Sequence, residues 1–393
     1  MRTVDAAGLL IGDDQPPRIM GVLNVSEESP YDPSVYSDHG RAATYVDEEL
    51  IDTGADIVDI GLESANKRLD VLSPDQELDR LDTAVETIES VSGEAVFSIE
   101  TRYAEVATAA LDRGFDMVND ICGFADPRMP EVCREYDVAV GKMASPPDLS
   151  APGAVDEVDW AGVRSPEWAA SADYVDQLYE GLKRNGLTEK TIVDPAFGGW
   201  SENKTLADDR ETFRRLPEFR ALGQPILVSI NRKNFLRKLG DRSTEEALPV
   251  SLAATSMAVE RGANVVRTHD VAETRDAALI GDAFSERTVV DGDSVRATEL
   301  VVPDPRTASR YLERTDGGGG ADRPPSRVVE IAGLTSEQVA TVVETARRSC
   351  AVVRASDGVL LIGGSVDALL TTADKLPDRD LYETIVEVLG AGG

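Results

Sequence analysis

The stretch FSIETRYAEVATAALDRGFDMVNDICG, residues 97–123, reads as a strand, a helix and a second strand. Two β-branched, apolar runs, AVFSIET (95–101) and DMVNDI (116–121), flank the helix-like segment YAEVATAALDRG, which closes on Gly114. Strands joined by a crossover of this length pair in parallel. The same unit recurs on both sides, with strands predicted at RIMGVLNV (18–25), ADIVDIG (55–61), VAVGKM (138–143), TIVDPAF (191–197), PILVSINR (225–232) and NVVRTHD (264–270). Amphipathic stretches lie between them, one opening on Ser73 as a helix cap and others closing on Gly186 and Gly262. Eight βα units in about 270 residues match the size of a (β/α)8 TIM barrel. The alternative, an open doubly wound sheet, usually carries a Gly-rich turn after its first strand, and GVLNVSEES has none.

The chain of 393 residues therefore divides into an N-terminal flank (1–17), a barrel (18–287), a stretch of short strands and Gly/Pro-rich linker (288–326) and a small C-terminal α+β appendage (327–393). The linker centres on Gly317 to Gly320. The appendage reads as strand RVVEIAGL, a helix from about Ser336, two strands around CAVVRASDGVLLIGG and one or two closing helices, with no catalytic constellation. Inside the barrel, Ala144 to Ser165 is long for a connection and rich in Pro, Ser and Asp, which marks it as a candidate lid or substrate loop.

Charge narrows the function. Asp and Glu number 72 against 40 Lys and Arg, a net charge of -32. Such a surface repels phosphate backbones and anionic lipid heads, which excludes generic nucleic-acid or membrane-surface binding. With 32 Arg but 8 Lys and a globular hydrophobic content of 41%, the acid excess fits a solvated surface adapted to concentrated salt, so a halophilic source is expected. Cys122, Cys133 and Cys350 are too few and too scattered for a disulfide framework or zinc site. No long apolar run or signal-peptide pattern appears, and the expected location is cytoplasmic.

A TIM barrel places its active site at the C-terminal ends of its strands. Those ends carry Asn24, Glu63, Glu100, Asn119 with Asp120, Met143, Asp194, Arg232 with Lys233, and Arg267 with His269. Each has a plain reading by itself: a turn cap for Asn119 and Asp120, a surface charge for Lys233 or Arg267, a structural polar group for His269. Their convergence on one barrel end instead suits a pocket for a polar heterocycle and an anion, with Asn and Asp matching ring donors and acceptors and Lys, Arg and His holding phosphate oxygens.

The segments IMGVLNVSEESPYD, GADIVDIGLES with LSPDQELDRL, FSIETRYAEVATAALDRGFDMVNDICG, VDPAFG, ILVSINRKNFL and GANVVRTHDVAET resemble, in order, the motifs of dihydropteroate synthases over residues 18–287. The resemblance implies condensation of 6-hydroxymethyl-7,8-dihydropterin diphosphate with 4-aminobenzoate, giving dihydropteroate and diphosphate for folate biosynthesis, with Mg2+ on the diphosphate. It implies that Asn24 serves the diphosphate and its metal, that Glu100, Asn119 and Asp194 meet the pterin edge, and that Lys233 contacts the pterin carbonyl and ring nitrogen. Arg267 and His269 match the pair that stacks on the pterin and binds diphosphate, Arg232 falls on the arylamine side, and Lys233, Arg267 and Asp194 are the residues closest to catalysis. Pairing into a homodimer through outer barrel helices is also implied.

Several motifs depart from the family pattern. SIET stands for SVDT, so Glu100 replaces an Asp with a side chain one methylene longer. ESANKR stands for ESTRPG, putting Ala65 and Asn66 at the Thr and Arg positions and leaving Lys67 or Arg68 to supply the missing charge for diphosphate. NVSEESPYDPS keeps Asp32 but loses two glycines, AFGGWSENKT is longer than GIGFGKT, NRKN replaces SRKS, and the fifth strand keeps only Met143 of Met-His-Met. Three alternatives stay open: another arylamine, as in methanopterin-type pathways; a methyltetrahydrofolate-type methyltransferase, whose relatives lack the Arg232–Lys233 pair; and a non-catalytic pterin-binding protein.

Overall fold

A short hairpin, β1 (Val4–Ala6) and β2 (Leu9–Ile11), precedes eight parallel strands in the computed structural model: β3 (Arg18–Asn24), β4 (Ile57–Gly61), β5 (Val96–Glu100), β6 (Met117–Asp120), β7 (Ala139–Met143), β8 (Thr191–Asp194), β9 (Ile226–Val228) and β10 (Ala263–Thr268). The structure describes residues 2–26, 32–64, 71–145, 159–198, 204–285, 289–300, 302, 306–307, 310–311, 327–346, 351–354 and 359–389. Strands β3 to β10 pair in chain order, and β10 returns to β3 to close a barrel. All eight predicted strands are present, and the predicted (β/α)8 architecture is the observed one.

Register sets the level of each side chain. Asn24 aligns with Gly61, Gly61 with Glu100, Glu100 with Asn119 and Asn119 with Gly141, so one row crosses five neighbouring strands near their C-terminal ends. Because alternate residues of a barrel strand face inward, three predicted site residues share this level. At the opposite end, Met20, Ile57, Val96, Met117, Ala139, Ile192, Leu227 and Val265 form an apolar layer.

The flank before residue 18 closes that layer. Val4, Ala6 and Ile11 are buried in the same cluster, so the hairpin plugs the barrel's N-terminal end. Its two-residue turn puts Ala7 and Gly8 at positive φ, 51° and 92°, the conformation that matches the twist of a tight hairpin, and Asp5 Oδ1 accepts from Gly8 N at 2.6 Å.

The crossover helices carry legible end signals. Helix Pro74–Ser90 opens with a capping box, Gln76 N donating to Ser73 Oγ and Ser73 N to Gln76 Oε1, and buries Leu81, Ala84 and Val85. Of the candidate lid, residues 146–158 lie outside the described residues; the short helices Trp160–Val163 and Pro166–Ser171 follow it, with the rings of Trp160 and Trp168 5.3 Å apart.

The C-terminal unit is a five-stranded antiparallel sheet of β11 (Val289–Asp291), β12 (Arg296–Leu300), β13 (Arg327–Ala332), β14 (Ala351–Arg354) and β15 (Leu360–Gly364), in the order β11-β12-β13-β15-β14. Helices Ser336–Ala346, Val366–Ala373 and Arg379–Val388 pack on it around Val329, Ile331, Ile362, Leu369 and Ile385. The predicted division at 327 therefore shifts: the two short runs before the linker supply two strands of this sheet, because β12 pairs with β13 along its full length. Gly317 to Gly320 lie outside the described residues. Among the described residues, no helix is long and apolar enough to cross a membrane.

Candidate active site

Polar side chains converge inside the barrel mouth around a residue that strand-end reasoning passes over. Asp59, in the middle of β4, is fully buried and accepts from Ser98 Oγ at 2.8 Å, Asn119 Nδ2 at 2.9 Å and Arg267 Nε at 2.7 Å. Arg267 also donates through Nη2 to Glu100 Oε2 at 2.5 Å. Burial opposes the charge on Arg267, but Glu100 and Asp59 outweigh it and hold the guanidinium pKa above its usual value. Burial pushes the Glu100 carboxyl up, and Arg267 works against that. The longer side chain at position 100 is thus accommodated by a direct ion pair with Arg267.

Asp194 ends β8, buried, with Oδ1 accepting from Ala196 N at 2.7 Å. Burial raises its pKa to about 6, against the pull of that N–H and of Lys233 and Arg267. Lys233 caps the helix Asn234–Gly240 and approaches Gly198, where a Cβ would lie 3.5 Å from the lysine Nζ. Gly198 has φ +75°, so a larger residue would be strained there although a Cβ would meet Lys233 only at van der Waals distance. Burial lowers the Lys233 pKa, and Asp194 opposes the shift while Arg267 adds to it.

A cavity of about 330 Å³ opens here, lined by Val22, Ser229, Lys233, Arg267 and His269 and, nearer the helix, by Asn231, Arg232, Arg237 and Thr244. Burial and the charge of Arg267 push the His269 pKa down to about 3, so its imidazole is neutral at pH 7. The basic side chains Arg232, Lys233, Arg237 and Arg267 along this cavity suit an anionic ligand, and the Asp59, Asn119 and Asp194 group suits a ring with both donors and acceptors.

Asn24 sits at the end of β3, its Nδ2 donating to Ser34 Oγ at 3.0 Å, while its Oδ1 lies 3.1 Å from where a Cβ on Gly61 would stand. That oxygen could meet a cation. Among the described residues no cluster of three His, Cys, Asp or Glu could hold a metal. Such a lone amide oxygen fits Mg2+, which keeps waters and substrate phosphates as ligands and needs few from the protein.

Residues 20–269 match the model of the pterin binding enzymes. Dihydropteroate synthase of Neisseria meningitidis is 32% identical over 282 residues, 70% of this chain and 94% of that protein, and the Bacillus subtilis enzyme is 30% identical over 68% and 88%. A probable bifunctional folylpolyglutamate synthase/dihydropteroate synthase of Halobacterium salinarum is 35% identical over 275 residues. This chain covers about a third of that protein, 32% of its length. A Coxiella burnetii dihydropteroate synthase solved with pteroic acid superposes with TM-score 0.58 at 27% identity, over 73% of this chain and 99% of that one. A Xanthomonas albilineans dihydropteroate synthase solved with 4-aminobenzoic acid gives 0.57 at 27%, over 72% and 98%. The chain belongs to the dihydropteroate synthase family of pterin binding enzymes.

Within this dihydropteroate synthase fold, Asn119 and Arg267 are joined through Asp59, Arg267 carries the link on to Glu100, and Arg267, Lys233 and His269 share the cavity. Arg232 lines it too, but its fork is closed on Asp270, with Nε and Nη2 donating to the carboxylate at 2.9 and 2.8 Å, and Nη1 donates to the carbonyls of Thr244 and Glu245. Its guanidinium thereby latches the segment after β9 to Asp270, just beyond the end of β10. Glu63 is a latch as well, accepting from Leu72 N at 3.0 Å and pairing with Arg102 at 3.0 Å. Lys67 and Arg68 lie outside the described residues, as do Ala65 and Asn66. The side chain of Asp32 also lies outside them.

Sequence reasoning missed Asp59, Arg102 and Arg237. Asp59 is an acid inside an apolar strand with its side chain on the inward face, as Ile57 and Gly61 are, and that parity was the available signal. Neither arginine ends a strand, and nothing in the local sequence separates them from the other 30.

Proposed function

We propose that the barrel condenses 6-hydroxymethyl-7,8-dihydropterin diphosphate with 4-aminobenzoate, giving dihydropteroate and diphosphate in folate biosynthesis. The observation that carries this reading is the inward network in which Asp59, within β4, joins Asn119 to Arg267 and Arg267 to Glu100, beside Asp194, Lys233 and His269 at the C-terminal end of the barrel. The ligands named for the Coxiella and Xanthomonas structures support the same substrates.

The residues divide the work. Asp194, ionised above pH 6, accepts from the ring N–H and 2-amino group of the pterin, and Asn119 and Glu100 take the remaining polar edge. Arg267, fixed in the plane set by Asp59 and Glu100, presents a guanidinium face for stacking on the pterin and positive charge toward the departing diphosphate. Lys233 hydrogen-bonds the pterin carbonyl and adds to that charge. The diphosphate leaves with the electron pair of the C–O bond, the pterin delocalises the resulting positive charge, and the arylamine nitrogen attacks the methylene carbon and then loses a proton. Such a reaction needs positioning and leaving-group stabilisation rather than a protein nucleophile. Asn24 Oδ1 would be the protein's ligand to a Mg2+ ion carried by the diphosphate, and that ion would supply further neutralisation of leaving-group charge. His269 enters neutral and gains a proton's affinity when diphosphate binds beside it.

The protein works as a homodimer in the cytoplasm of a halophile on this reading. Met257, Leu279, Ile280 and Phe284 support the dimer: they are 44%, 48%, 57% and 75% exposed on or beside the contacting helices Leu248–Glu260 and Val271–Ala283. The deciding assay mixes purified full-length protein in molar KCl with the pterin diphosphate, Mg2+ and 4-aminobenzoate. Stoichiometric diphosphate and dihydropteroate are expected; no diphosphate release with 4-aminobenzoate overturns the reading, and release only with a ribosylated arylamine moves it to the methanopterin-type acceptor.

A further inference from the structure

Arg237 lines the cavity together with Lys233, Arg232, Arg267 and His269, and the roles given above leave it unused. Lys233 is the N-cap of helix Asn234–Gly240, and Arg237 follows it by four residues. Residues so spaced share one helix face, about 6 Å apart along the axis. That offset is comparable to the length of a para-substituted benzene ring.

The charge on Arg237 stands apart from its neighbours. Arg232 is paired with Asp270, and Arg267 with Asp59 and Glu100. Among the described residues Arg237 forms no ion pair: its guanidinium makes one hydrogen bond, Nη1 to the neutral Oδ1 of Asn234 at 3.1 Å, and its Nε is buried without an acceptor. Glu245 feels the charge of Arg237, but it is exposed and the two are not paired. A buried donor on a cation with no acceptor is unfavourable, and an anion entering the cavity relieves it.

We propose that Arg237 binds the carboxylate of the arylamine acceptor, holding the ring so that its para amine points back toward Lys233 and the reacting methylene. A guanidinium and a carboxylate form paired, charge-assisted hydrogen bonds, which fix orientation as well as affinity. This makes Arg237 a specificity residue that selects an acidic acceptor, and it rests on the reading of the barrel as a dihydropteroate-forming enzyme.

The test compares the full-length protein with Arg237→Ala and Arg237→Lys variants, using 4-aminobenzoate and its neutral ethyl ester as acceptors. Arg237→Ala is expected to raise the KM for 4-aminobenzoate about 10- to 100-fold, the range for losing a hydrogen bond to a charged group. The KM for the pterin diphosphate and kcat stay within about threefold, Arg237→Lys recovers part of the loss, and the preference for acid over ester collapses in the Ala variant. An unchanged KM and acid preference overturn the proposal, and so does a rise confined to the KM of the pterin diphosphate, which would assign Arg237 to the leaving group. Calorimetric titration of 4-aminobenzoate onto protein holding 6-hydroxymethylpterin and inorganic diphosphate separates this inference from the reading beneath it. If the unaltered protein turns over no arylamine, the reading fails, yet weaker binding to Arg237→Ala still supports the carboxylate contact and equal binding removes it.

Discussion

Two buried aspartates illustrate how single residues trade stability for a site. Asp59 has no contact with bulk water, and its carboxylate is the hub through which Asn119 and Arg267 are oriented. Asp59→Asn keeps the shape but removes one of two carboxylates on Arg267, so we expect kcat/KM to fall at least about 100-fold and stability by up to about 3 kcal/mol, below the usual cost of breaking a buried pair because Glu100 remains. Steady-state kinetics and denaturant melts check this; unchanged kinetics would reduce Asp59 to a packing residue. Asp194 behaves in the opposite way. Its pKa is about 6 in the fold against 3.8 in a free chain, so the folded state holds the proton more tightly and ionisation costs stability. The penalty is absent below about pH 4, grows up to about pH 6 and stays constant above it, at an order of 3 kcal/mol. Asp194→Asn should therefore melt higher than the native protein at pH 8, show little difference at pH 4, and be inactive. Native pterin affinity should also fall as pH drops below 6, and equal affinity at pH 5 and 8 would contradict the role given to the carboxylate. The sequence displayed Asp194 because it terminates an apolar run, whereas Asp59 was hidden by lying within one.

At the scale of elements, the site depends on register more than on any single strand. The row Asn24, Gly61, Glu100, Asn119, Gly141 sets two glycines among three polar side chains, and the glycines make room. A Cβ on Gly141 would stand 2.8 Å from Asn119 Oδ1. Gly141→Ala should swing Asn119 off Asp59 and weaken pterin binding about tenfold or more, roughly the loss of one buried charged hydrogen bond, while thermal stability changes little. Pterin titration and a melting curve together distinguish this from general unfolding, and unaltered pterin affinity would show that Asn119 has room to adapt. Elements were legible where hydrophobic period, a Ser cap and a closing glycine agree, as in β5, the helix after Ser73 and the turn at Gly114. The Arg232–Asp270 latch was not legible, since its partners are 38 residues apart and only folding brings β9 and β10 together. The three-residue strands of the hairpin were too short to show a period, and the membership of the two short runs before the linker in the C-terminal sheet was hidden because that sheet is built by pairing across the linker.

For the whole molecule, the net charge of -32 and the cationic cavity respond to salt in opposite directions. Self-repulsion among surface carboxylates reaches about 10 Å in 0.1 M salt and about 3 Å in 1 M salt, so concentrated salt relieves it. The same screening weakens the attraction between a multiply charged diphosphate and Arg267 and Lys233, although less so where these groups are buried. The barrel itself adds a salt-insensitive term, because Val4, Ala6 and Ile11 seal its floor by apolar contact. Removing residues 1–14 should cost several kcal/mol at any salt concentration, at about 1.5–3 kcal/mol for each large buried side chain. Raising KCl from 0.1 to 2 M should increase the melting temperature of the full-length protein by about 10 °C or more, beyond what sucrose at matched osmolality achieves, while the KM for the pterin diphosphate rises over the same range. A melting temperature indifferent to KCl, or moved equally by sucrose, would mean that the acidic surface is neutral to stability and that its excess charge needs another explanation. A KM that stays flat while stability climbs would place the diphosphate wholly inside the screened cavity, with the surface field contributing nothing to its capture.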